Sequence, residues 1–219
     1  MRTPNHHPSE ALLVAYGAGG LSEALALAVA THLAWCGACR SKARSVEAVG
    51  GTLLEGLPQS ALADDALERA LARLDDRAAR PAAAVAAAPA GTWNMPEPLH
   101  SYVGPVTDRR WRRLAPGVRQ IEVKAQTAPG GSVRLLRVAP GTGLPHHGHG
   151  GIELTVILRG SYSDELGTFG PGDIAELDHE TKHRPLADTS EDCVCLIATD
   201  APLRFTGLVS RLLQPLIRI

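Results

Sequence analysis

The spacing of apolar and polar positions changes near the middle of the chain, and the change divides it. From residue 9 to residue 79 the apolar positions recur with helical spacing, as in Leu25, Val29 and Leu33, which fall on one face at four-residue intervals. Ser9 is placed to cap a first helix running through Leu12, Leu13 and Tyr16, with glycines at 17, 19 and 20 to end it, and Ser22 is placed to cap a second. A third is predicted over residues 37–54, closed by Gly56-Leu-Pro58. A fourth is predicted from Ser60 onward. Its Leu62, Leu67, Leu71 and Leu74 are set against Asp64, Asp65, Glu68, Arg69, Arg73 and Asp76, so the leucine stripe either packs on its own domain or docks on a partner.

Residues 81–91 are low in complexity, with alanine at every position between Pro81 and Pro89 except Val85, a linker composition. Beyond it come short β-branched and apolar runs at residues 132–138, 152–158, 174–177 and 193–198, separated by Gly and Pro turns such as Gly170-Pro-Gly. Such runs predict a sandwich or barrel. The expected division is a helical domain at 1–80, a linker at 81–97 and a strand domain at 98–219, an α+β multidomain chain.

Charge and composition narrow the functions. Twenty-two Lys plus Arg against 23 Asp plus Glu leave a net charge of −1, and aromatics are 4%. No overall positive field draws a phosphate backbone, so direct nucleic-acid binding is not expected. The Arg109-Arg-Trp-Arg-Arg113 run then reads as an exposed strand with a packed Trp111. No apolar run approaches the roughly 20 residues that cross a bilayer, and the start of the chain lacks a secretory pattern, which predicts a cytoplasmic protein without a membrane partner. Cysteines in that compartment are ligands or redox groups more often than disulfides. Here they form two close pairs, Cys36 with Cys39 and Cys193 with Cys195, and the chain also carries 9 histidines, mostly clustered.

His32, Cys36 and Cys39 stand at i, i+4 and i+7, so on a continuous helix they converge on one side. The His6-His7 pair offers a fourth donor for a Cys2His2 sphere suited to structural zinc. A redox dithiol has the same Cys-x-x-Cys spacing but expects a preceding strand. A second set, Gly141-x5-His147-Gly148-His149-x3-Glu153-x6-Gly160, collects imidazoles and a carboxylate. In an extended segment His147 and His149 share a face, and Glu153 joins them if the strand stays regular. Zn, Fe, Mn, Ni or Cu would suit these donors. Cys193 and Cys195 face the same way in a late strand, which favours core packing over redox sensing. Tyr162 and Asp164 are pocket candidates.

The first constellation resembles the zinc-binding anti-sigma factors, and that resemblance implies zinc held by His7, His32, Cys36 and Cys39, with His6 the less favoured histidine. It further implies that the helix after the zinc module contacts a sigma factor. The second constellation resembles the first motif of the cupin superfamily. Phe169-Gly-Pro171-Gly172-Asp173 resembles the turn of the second motif, with its histidine delayed to His179 or His183. By resemblance to regulatory cupins His183 completes the set with His147, His149 and Glu153, holding zinc or another divalent transition metal, while His146 and His179 are surface residues.

Helical zinc module, linker and cupin in this order resemble the ChrR type of zinc-binding anti-sigma factor. The resemblance implies an all-α zinc-binding helical domain followed by an all-β cupin (jelly-roll barrel). It also implies a partner, an extracytoplasmic-function sigma factor, whose use by RNA polymerase is blocked until singlet oxygen or a related oxidant is sensed through the cupin. A metal-dependent cupin enzyme, a dioxygenase or isomerase with a helical oligomerisation domain, is the alternative.

Overall fold

The computed structural model describes residues 3–78, 95–104, 106 and 110–205. Most of the expected linker, residues 81–94, and Arg109 lie outside the described residues.

Among the described residues four helices come first. α1 (Glu10–Gly17) and α2 (Glu23–Leu33) begin at Ser9 and Ser22, whose side chains accept from the Leu12 and Leu25 amides as N-caps do. α3 (Gly37–Glu55) begins at Cys36 and ends at Gly56. α4 spans Ala66–Ala78 and starts six residues later than the leucine spacing predicts. Asp64 and Asp65 explain the difference: near the first exposed N–H groups their charge is favourable, whereas a start at Ser60 would carry them into the helix body. Asp65 also pairs with Arg69 one turn on, at 3.2 Å. A short α5 (Glu97–Val103) precedes the strands.

Among the described residues twelve strands follow: β1 (Arg112–Ala115), β2 (Val118–Glu122), β3 (Ser132–Val138), β4 (His147–His149), β5 (Glu153–Arg159), β6 (Tyr162–Asp164), β7 (Gly167–Phe169), β8 (Ile174–Leu177), β9 (Lys182–His183), β10 (Leu186–Ala187), β11 (Cys193–Thr199) and β12 (Leu203–Phe205). They form a six-stranded antiparallel sheet in the order β1-β2-β3-β11-β5-β8 and two three-stranded sheets, β10-β6-β7 and β12-β4-β9. Trp111, just before β1, is buried and Arg112 and Arg113 are exposed.

The large sheet is apolar on both faces. Its inner face carries Leu136, Val138, Ile157, Cys193 and Cys195, which pack with Tyr162, Phe169 and Ala187 of the small β10-β6-β7 sheet. Its outer face carries Leu135, Leu154, Val156, Ile174, Leu196 and Ala198, which share one cluster with Leu25, Ala28 and Val29 of α2 and Leu99 of α5. α2 lies across β11 and β5. Side chains alternate along a strand, so a strand buried on both sides reads as the uninterrupted apolar run seen in β5 and β11.

Glu23 fixes one end of this docking. Its carboxylate accepts from the Tyr102 hydroxyl at 2.7 Å and the Gln126 amide at 2.6 Å, and these bonds hold its pKa below the ordinary value.

Leu196 is fully buried in the cluster shared by helix and sheet. Leu196→Ala is expected to lower stability by about 2–5 kcal/mol, read as a shift of the denaturant midpoint, with helical and strand signals moving together. A shift confined to the strand signal would contradict the shared cluster.

Candidate metal centres

The helical centre sits at the corner between α2 and α3. His32 ends α2, Cys36 is the N-cap of α3, and Cys39 lies in its first turn. The continuous helix assumed from the i, i+4, i+7 spacing is therefore broken at residues 34–36, and convergence comes from the corner instead. The Cys36 sulfur accepts from the Cys39 amide at 3.4 Å, so the cap residue of a helix N-terminus is also a candidate ligand. His7 arrives from the N-terminal segment with Nδ1 at 3.4 Å from both sulfurs. One donor atom from each of His7, His32, Cys36 and Cys39 lies within 4.8 Å of the others. His6 turns elsewhere, its ring 4.2 Å from that of Phe169 and its Nε2 bonded to the Thr168 carbonyl.

The protonation pattern suits a cation. His32 is fully buried, and its Nδ1 donates to the Gly172 carbonyl at 2.7 Å. A carbonyl can only accept, so Nε2 keeps its lone pair, and Nε2 has no hydrogen-bond partner. Burial holds the pKa of His32 below its ordinary value, against the pull of the Gly172 carbonyl. Burial and the Cys36 sulfur push the Cys39 thiol up to about 12. A divalent cation would reverse that penalty, because a coordinated thiol is deprotonated. Two thiolates and two imidazoles are a closed tetrahedral zinc set.

The second centre lies between the sheets. β4 supplies His147 and His149, β9 supplies His183 directly opposite His147, and Glu153 opens β5 in the large sheet. The strand does not stay regular through Gly150-Gly151, where the chain crosses to the other sheet, so Glu153 meets the histidines from the opposite wall. The four residues are buried, with one donor atom of each within 4.8 Å of the others. His147 Nδ1 donates to the Pro145 carbonyl and His183 Nδ1 to the Asp164 carboxylate, both at 2.8 Å. Their Nε2 atoms then face each other at 3.2 Å as two lone pairs, an arrangement a shared cation stabilises. His149 Nε2 is buried without a partner. Burial opposes ionisation of Glu153, but the His149 ring, with His147 and His183, outweighs it and holds the carboxyl below its ordinary value. Burial keeps His147 low despite Glu153. The set thus places three imidazoles around a carboxylate held below its ordinary value.

A cavity of about 40 Å³, room for a water-sized group, borders His147 and His183 and is lined by Thr155, Tyr162, Cys193 and Cys195. The Tyr162 hydroxyl is buried there without a partner. Both cysteines are buried and unbridged, and the Cys193 sulfur together with burial keeps Cys195 a thiol. His146 and His179 are exposed.

Sequence reasoning named Asp164 only as a pocket residue, whereas it orients His183. Thr155, which donates to Glu153 at 3.0 Å, was missed, as was the support that Gly172 and Asp173 give to the helical centre. The Gly-Pro-Gly-Asp turn was visible as a motif, but its contact with His32 spans 140 residues and left no local signal.

The ChrR cupin-like domain family matches residues 100–202, and a zinc-finger family matches residues 9–40. The anti-sigma-E factor ChrR of Cereibacter sphaeroides is 47% identical over an alignment of 220 positions that covers 99% of this chain and 100% of that one. In the crystal structure of Rhodobacter sphaeroides SigE with the anti-sigma factor ChrR, the matching chain is 42% identical with a TM-score of 0.76, covering 90% of this chain and 99% of that chain.

Metal analysis is expected to find about two divalent ions per chain. Filling the helical centre must displace the Cys39 proton at any pH below about 12. Apparent affinity there should therefore fall about tenfold per pH unit of acidification for each proton displaced. Chelator competition between about pH 6 and pH 8 reads this; a flat profile would contradict thiolate ligation.

Proposed function

The chain belongs to the ChrR family of anti-sigma factors, and on that premise we propose that it binds an extracytoplasmic-function sigma factor and blocks its use by RNA polymerase. The observation that carries this reading is an uncovered apolar surface. Val49, Leu53 and Leu54 late in α3, Leu57 and Leu62 after it, and Leu67, Leu71 and Leu74 of α4 are 51–82% exposed. Large apolar side chains left exposed in such number mark an interaction site, and helix-borne leucines at three- and four-residue spacing suit a protein groove. The relative in Cereibacter sphaeroides is named for such an activity, and the solved ChrR chain is in complex with SigE.

His7, His32, Cys36 and Cys39 would hold structural zinc, locking the α2–α3 corner from which α3 projects its apolar end. His147, His149, Glu153 and His183 would hold zinc or another divalent transition metal, which would supply Lewis acidity when bound. Around it the chain's own residues do the orienting. Asp164 fixes the His183 tautomer, Thr155 holds Glu153, and the apolar walls exclude water. An oxidant such as singlet oxygen, met in this cavity, would release the sigma factor by favouring a state in which the leucine surface grips less well. A partner that works with RNA polymerase puts the protein in the cytoplasm. No helix among the described residues is long and apolar enough to cross a membrane. Regulation is thus the reading, and the metal-dependent cupin enzyme has no observation of its own in its favour.

The test is co-expression of the full chain with the extracytoplasmic-function sigma factor encoded beside its gene. The two are expected to co-purify. Leu67→Asp with Leu71→Asp should weaken binding by roughly 30-fold or more, the loss typical of buried interface anchors, and Cys36→Ser with Cys39→Ser should also lose it. Failure of the wild-type chain to bind, or full binding by the charged leucine variant, would sink the proposal.

A further inference from the structure

We propose that the turn at residues 170–173, between β7 and β8, is the outer support of the helical metal centre, with Gly172 and Asp173 positioning two of its four ligands. This inference rests on the reading that His7, His32, Cys36 and Cys39 bind a metal.

Three contacts carry it. The Gly172 carbonyl accepts from His32 Nδ1 at 2.7 Å, which fixes the ring's tautomer and turns the unpartnered Nε2 toward the sulfurs. Ligating histidines generally need such an acceptor on their other nitrogen. The Asp173 carboxylate, 2% exposed, accepts from the Asn5 amide at 2.5 Å and the His6 amide at 2.9 Å through one oxygen, and from the Gly170 amide at 2.8 Å through the other. Asp173 therefore clamps the backbone immediately before His7. The Ile174 amide donates to the His6 carbonyl at 3.3 Å, which continues the seam.

The turn's shape is specified for this contact. Gly172 has φ +89°, and a Cβ there would sit 2.9 Å from Pro4 and 3.3 Å from Trp35. Only glycine lets the N-terminal segment and the α2–α3 corner close over the turn. On its other side the turn is tied to the sheet. Gly172 N–H donates to the Ile157 carbonyl at 2.8 Å, and Ile157 N–H donates to the Asp173 carbonyl at 3.0 Å. Ile157 lies in β5, the strand that opens with Glu153. The turn thus joins the helical centre and a wall of the second centre in one hydrogen-bonded unit, and metal affinity at the helical corner depends on the state of that strand.

The experiment uses the full chain and Co2+, whose thiolate charge-transfer band reports only the cysteine-containing centre. Wild type is expected to show the band on titration. Asp173→Asn keeps the side-chain shape but replaces one accepting oxygen by an NH2 that opposes the backbone donors on its side, and it should weaken Co2+ at this centre by roughly 10- to 100-fold with an altered ligand-field spectrum. Wild-type affinity and spectrum in that variant would overturn the proposal. Hydrogen exchange guards against a folding defect. In Cys39→Ser, which empties only the helical centre, amides of residues 168–176 should exchange faster than in the loaded wild type, while those of residues 139–143 do not. Unchanged protection at 168–176 would also overturn it. Absence of any thiolate band in wild type would overturn the metal reading itself, and this proposal with it.

Discussion

Everything in this fold follows from a sheet that cannot leave either face in water. β5 and β11 carry large apolar side chains on alternate sides, so one set must be covered by the smaller sheets and the other by something else. α2, with α5 beside it, is that cover. Burying these side chains is the largest favourable contribution either layer can make. The helical module is therefore held on the strands by the same force that assembles each of them, and the polar contacts at the seam add direction rather than bulk stability. Glu23 at one end, bonded to the Gln126 amide and the Tyr102 hydroxyl, and Asp173 at the other, bonded to three backbone amides, fix register where apolar packing is tolerant of slippage.

The two candidate metal centres are built by different local means toward the same electrostatic end. At the helical corner the chain breaks a helix, so that Cys36 caps α3 and both sulfurs turn toward two imidazoles. Between the sheets, paired strands bring His147 and His183 face to face. In each case a carbonyl or carboxylate takes the outward ring proton and leaves lone pairs pointing inward. Buried lone pairs aimed at one another are unfavourable without a cation. The centres are consequently places where the metal-free chain stores electrostatic cost, and where loading favours the ordered fold.

The surface left uncovered is as informative as the cores. Val49, Leu53 and Leu54 late in α3 and Leu67, Leu71 and Leu74 of α4 face solvent, although the leucines are as apolar as those of α2. A chain of net charge −1 that exposes such a surface is suited to holding another protein. This resolves the choice left open by the leucine spacing: the stripe on α4 does not pack on the described part of its own chain.

Local physics was legible in the sequence. Ser9 and Ser22 announced their helices because a cap needs only a side-chain oxygen and its neighbours' amides. Apolar runs and Gly-Pro turns announced the strands, and the candidate donor types were readable because softness and charge belong to the residue itself. The start of α4 was misplaced because periodicity says nothing about where charge prefers a helix end. The route to each centre was also misjudged, since spacing alone assumed one continuous helix and one regular strand where the chain in fact turns a corner and changes sheets. What only the tertiary structure decided is the partnership between distant segments: α2 on the outer face of the large sheet, Asp164 behind His183, and the Gly172 carbonyl behind His32. Such contacts are chosen by which surfaces meet when two apolar faces are buried at once, a property of the folded whole that no stretch of neighbouring residues encodes.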